Sequence, residues 1–85
     1  MTIHKYSLTI NDTQTVQMPT GARLLSVQMQ ADQPRVWAMV DPDAPMVARR
    51  LRVVGTGGEA VGVYVGTFQI HGGLRVFHLF DLGEV

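Results

Sequence analysis

Apolar and polar residues alternate with a period of two along most of this chain, the pattern of strands that bury one face. Residues 3 to 10 set Tyr6, Leu8 and Ile10 on one side and Lys5, Ser7 and Thr9 on the other. After the turn residues Asn11-Asp12 the alternation resumes through Val16 and Met18, so residues 3 to 18 predict a β-hairpin that Pro19-Thr20-Gly21 breaks. From Arg23, Leu25, Val27 and Met29 oppose Ser26, Gln28 and Gln30, and Asp32-Gln33-Pro34 ends this third strand. Arg35 to Asp41 is the fourth, with Val36, Ala38 and Val40 on one face and Trp37 and Met39 on the other. A strand apolar on both faces is central in its sheet or lies at an interface.

Pro42-Asp43-Ala44-Pro45 cannot pair along a ladder and reads as a loop, with a short helix around residues 42 to 50 as the one departure from β structure. A strand over Val47 to Val54 carries three arginines, Gly55 to Glu59 turn the chain, and Ala60 begins a last long hairpin. Gly72-Gly73 suits a two-residue turn with positive φ at both positions. That turn sets Phe68 across from Phe77, Ile70 from Arg75 and Gly66 from Leu79, a core face with an aromatic pair. The other face sets Thr67 across from His78, Gln69 from Val76 and Val65 from Phe80, with His71 beside the turn. The expected fold is mainly β: one domain over 1–85, a compact antiparallel sheet forming a small sandwich or barrel of about six to seven strands.

Composition refines this picture. The chain has 85 residues and is 46% hydrophobic, enough to fold without a metal or disulfide. Apolar surface left over from one thin core favours burial against copies of the same chain, so a homo-oligomer is expected. Lys plus Arg and Asp plus Glu each total 7, which removes the field that gathers extended nucleic acid. There is no cysteine, so thiol chemistry and cysteine-ligated metal are excluded, and no cofactor is expected. No apolar stretch approaches a signal peptide or membrane span, which makes the cytoplasm the default location.

Few residues offer chemistry. Gly55-Thr56-Gly57-Gly58 resembles a phosphate-cradling loop, but strand residues follow where a dinucleotide fingerprint needs a helix; the turn amides at Gly57 and Gly58 can still form a small anion nest. On the fifth strand Arg50 and Arg52 share one face, able to clamp an anion, while Arg49 shares the other with Leu51. A solvated or charge-guarded edge is the competing reading of these arginines. His71 and His78 come together only in the last hairpin, and two histidines do not close a zinc site. The two serines lack a nucleophile-elbow context, and the carboxylates fall mostly at turns, so catalysis is disfavoured. Trp37 and Tyr64 are the aromatic side chains able to stack a base.

Several segments together carry a resemblance: Met18-Pro19-Thr20-Gly21-Ala22 with Leu25-Ser26-Val27-Gln28, then Trp37-Ala38-Met39-Val40-Asp41-Pro42, Val54-Gly55-Thr56-Gly57, Tyr64 to Gln69 and Gly72 to Phe80. With these the chain resembles a family of small uncharacterised bacteriophage and prophage proteins over nearly its whole length. The resemblance implies a phage or bacterial origin and action in the host cytoplasm, and it brings no catalytic residues. By analogy with phage proteins that sequester nucleotide signals of host defence, the expected function is non-catalytic binding of a small anionic, nucleotide-like ligand by a homo-oligomer. The alternative is a structural or interaction module for a host or virion protein. The expected ligand contacts are Arg49, Arg50, Arg52, Trp37, Tyr64, Gly57, Gly58, Thr67, Gln69, His71 and His78.

Overall fold

The alternation is realised as seven strands in the computed structural model, which describes residues 1–85. They are β1 (Thr2–Ser7), β2 (Thr13–Pro19), β3 (Arg23–Gln30), β4 (Gln33–Val40), β5 (Met46–Gly55), β6 (Val63–Ile70) and β7 (Arg75–Glu84). Two antiparallel sheets result, one of three strands in the order β1-β4-β3 and one of four in the order β2-β5-β7-β6. No helix is long and apolar enough to cross a membrane.

Inward residues of both sheets make the core. Leu8, Val27, Val36, Leu51, Val53, Phe68, Phe77 and Leu79 form one cluster, and Met18, Ala22, Ala38 and Val40 a second. Tyr6, Val16 and Leu24 pack against both clusters. β4 is central, as its two apolar faces predict: Val36, Ala38 and Val40 are buried, while Trp37 and Met39 turn outward. Along one side the sheets converge, because Gly66 of β6 lies so close to β3 that a Cβ there would sit 2.9 Å from Val27 Cγ1. The opposite margins of the two sheets are β1 and β2.

The first hairpin is a correction. β1 pairs with β4 and β2 with β5, so these consecutive strands lie in different sheets. Leu8 is buried and its N–H donates to Pro34 O at 3.0 Å, which prolongs β1 along β4 instead of turning it back. The Gln14 side chain then holds Thr9 from both sides, accepting from its N–H and donating to its carbonyl, and makes a corner between the sheets.

Smaller departures have local causes. The segment expected to form a short helix instead begins β5 at Met46, and the only helical turn is the 3-10 turn His71–Gly73. Ala31 and Asp32 take φ of 50° and 62°, so the turn after β3 is complete before Gln33, and Pro34 belongs to β4. A bulge between Leu24 and Ser26 brings Leu24 inward and leaves Leu25 outside. In the last hairpin the expected register holds from Gly66↔Leu79 to Ile70↔Arg75. Its turn is longer than Gly72-Gly73, since His71, Gly72 and Gly73 all have positive φ and Leu74 N–H closes onto His71 O. At the far end a bulge at Val65 brings Tyr64, not Val65, opposite Phe80.

Candidate functional site

The three arginines of β5 have different destinations. Strand alternation turns Arg49 inward, where Nε and Nη2 donate to the two Asp81 oxygens at 2.9 and 2.6 Å and Nη1 to Ala22 O at 2.8 Å. Both side chains are nearly buried, with 12% and 14% exposure. The bond from Arg49 holds the Asp81 carboxyl below the usual carboxylate range. All three Arg49 nitrogens are thus engaged in joining β5, β7 and the β2–β3 turn, which leaves none for a ligand. Beside it, Glu84 accepts from Gly21 N–H and Thr20 Oγ1, and these bonds lower its pKa.

Arg50 and Arg52 share the outer face of the four-stranded sheet, as alternation predicts. Arg52 pairs with Asp12 at 2.8 Å. Arg50 is exposed and is the only one of the three without an ion pair. Register lines up Arg52, Phe80 and Tyr64 on β5, β7 and β6, and the Tyr64 and Phe80 rings meet edge to face at 5.8 Å. Beside that row, Arg50, Val61, Gly62, Val63, Asp81, Leu82 and Gly83 line an open depression of about 490 Å³. The bulge that leaves Leu82 between the pairs Arg50↔Gly83 and Leu51↔Asp81 shapes its floor. Gly62 is required there: its φ is +93°, and a Cβ would lie 2.6 Å from Asp81 O.

A polar chain crosses the same face. Tyr64 Oη bonds Thr67 Oγ1, which bonds His78 Nδ1 at 2.9 Å, while His78 Nε2 bonds Thr56 Oγ1 at 2.9 Å. Both ring nitrogens of His78 are therefore taken by threonine hydroxyls. Gln69 is on this face too, its Oε1 close over Gly73.

Other expected contacts lie elsewhere. Trp37 is on the outer face of the three-stranded sheet, on the far side of the sandwich from Arg50. His71 lines a separate depression with Ile10, Met29 and Pro34. Gly58 N–H closes the turn onto Gly55 O at 3.0 Å, and a side chain at Gly58 would collide with Val54. Its glycine thus answers to packing. The structure places Arg50, Arg52, Tyr64, Thr67, Gln69 and His78 on one face of the four-stranded sheet, and adds Phe80 and the Leu82 bulge, which the sequence reading missed. Gly62 and Gly83, both with φ near +94° or +93°, were the available signal for that depression.

The family described as Domain of unknown function (DUF7352) matches residues 1–84, and the chain belongs to it. No curated protein and no solved structure matches the chain significantly.

Proposed function

We propose that this protein is a non-catalytic, homo-oligomeric binding module whose four-stranded sheet receives a small anionic ligand bearing an aromatic ring. The observation that carries the reading is Arg50, an exposed guanidinium without a carboxylate partner that lines a depression, with the Tyr64–Phe80 pair in the neighbouring row of the sheet. Arg50 supplies the planar fork for a phosphate or carboxylate, and the aromatic edge supplies a surface for a ring. On the resemblance to phage proteins, a nucleotide signal of the host is the ligand put first, and the phage-infected cytoplasm the place of action.

Thermal unfolding in the presence of a nucleotide panel tests this. A ligand at a hundredfold excess over its Kd adds about 2.7 kcal/mol, a rise on the order of 10 °C for a domain this small. Arg50→Gln is expected to remove the rise. No shift with any nucleotide, or a shift that Arg50→Gln leaves intact, overturns the assignment.

A second reading rests on the opposite face. Ile3, Leu25, Trp37 and Met39 form an apolar patch there, with Ile3 and Leu25 59% and 42% exposed. Lys5, Arg23 and Arg35 stand around it with no carboxylate on the same strands. An aromatic and methionine centre with a polar rim is the composition of a protein interface. It predicts one dominant protein partner, retained at moderate salt and lost with Trp37→Ser; a partner retained by that variant contradicts it.

A further inference from the structure

The two sheets are unlike at their two sides. Where β3 meets β6 the sandwich is closed, with Gly66 against Val27. On the other side β1 and β2 each pair with one neighbour only, so each leaves a free edge. Ladder phase identifies the free groups. Leu8 N–H donates to Pro34 O, so the even residues of β1 face β4 and the amides of Ile3, Lys5 and Ser7 point outward. Thr20 N–H donates to Pro45 O, so in β2 the amides of Thr13, Thr15 and Gln17 point outward.

The usual guards are sparse on both edges. Edge strands avoid self-pairing through bulges, prolines and charges. β1 and β2 pair without a register shift, whereas every other strand pairing contains a bulge. The only proline is Pro19 at the end of β2, and the only charged side chain on either strand is Lys5. Tyr6 and Val16, half-buried inward residues of these strands, line the mouth between the sheets.

We infer that two copies of the chain join side by side along this margin. β1 pairs antiparallel with β1 of the second copy and β2 with β2, about one two-fold axis perpendicular to the sheets. The inference rests on the homo-oligomer part of the proposed function and supplies its interface. An arriving peptide strand satisfies one free edge; a second copy presents two edges, one in each layer, and satisfies both at once. The two margins also carry no carboxylate to attract a basic partner and only Lys5 to repel a copy. Charge selects among symmetric registers of β1. Centring on Lys5 sets two ammonium groups opposite each other, whereas centring on Ile3 extends the apolar row Met39–Ile3 across the axis.

Sedimentation equilibrium with hydrogen exchange tests the assembly. The expected mass is twice the 9.4 kDa of the chain. In the assembled protein the amides of Ile3, Lys5, Thr13, Thr15 and Gln17 are expected to exchange slowly, and to lose protection on dilution. Lys5→Pro combined with Thr15→Pro removes two outward N–H groups that no bond within the chain uses. This pair is expected to weaken dimerisation by roughly tenfold or more while cooperative unfolding persists. Trp37→Ser is expected to leave the dimer intact. A monomer at every concentration overturns both the inference and the homo-oligomer reading. An oligomer whose five amides exchange freely, or which dissociates with Trp37→Ser and not with the proline pair, overturns the margin alone.

Discussion

Arg49 donates to both carboxylate oxygens of Asp81, at 2.9 and 2.6 Å, and so ties two neighbouring strands together from the inner side of the four-stranded sheet. Breaking one side of a nearly buried pair leaves the other charge without a partner. Asp81→Leu is therefore expected to cost about 2–4 kcal/mol, and Arg49→Met combined with Asp81→Leu less than the sum of the two single changes. Denaturant unfolding of the three variants checks this, and additive losses would contradict the pairing.

The same cluster sets an acid limit. The folded pKa values of Asp81 and Glu84 lie below their ordinary values, Asp81 chiefly through Arg49 and Glu84 chiefly through the Gly21 amide. Groups depressed by folding stabilise the protein above their unfolded pKa, and that contribution is lost as pH falls through the folded value. Stability from this cluster is expected to be level at neutral pH and to fall from roughly pH 5 downward, where unfolded carboxylates begin to protonate. Asp81→Asn is expected to flatten that decline in a Tm-against-pH series, and an unchanged slope would count against the assignment.

Where the sheets converge, Gly66→Ala places a methyl 2.9 Å from the buried Val27 Cγ1. The expected loss is about 1–3 kcal/mol. In Val27→Ala the added methyl has room, so the double variant is expected to be more stable than additivity predicts. A Gly66→Ala protein as stable as wild type would show that the strands are not held this close.

Tyr6 is the opposite case, a side chain carrying a group the fold does not use. Its hydroxyl is buried without a hydrogen-bond partner, and desolvation pushes its pKa up. Removing an unsatisfied polar group recovers its desolvation cost, so Tyr6→Phe is expected to stabilise by about 1 kcal/mol. A lower Tm would mean that the hydroxyl has a partner in solution.

The sequence made the strands legible wherever a residue's neighbours two positions away settled its face. The register from Gly66 to Ile70 followed from turn position and the Phe68–Phe77 pair, and the central place of β4 from its apolar faces. Alternation cannot say which sheet a strand joins. Residues 3 to 18 alternate as a hairpin would, yet the buried Leu8 and the Gln14 brace send the chain to the other layer. Bulges were equally hidden, since one extra residue at Val65, Leu25 or Leu82 leaves local composition unchanged while reversing faces. That is why Phe80 was placed opposite Val65 and left out of the site. Arg49, Arg50 and Arg52 were separable by face, but the partners that occupy Arg49 and Arg52 come from residues 32 and 40 positions away.

Amide chemical-shift mapping with the nucleotide giving the largest thermal shift tests the proposed ligand face most directly. The account predicts that perturbed resonances gather at Arg50, Val61 to Tyr64 and Phe80 to Gly83, and that Arg50→Gln abolishes them. Perturbations centred on Trp37 and Met39, or none at saturating nucleotide, would contradict it.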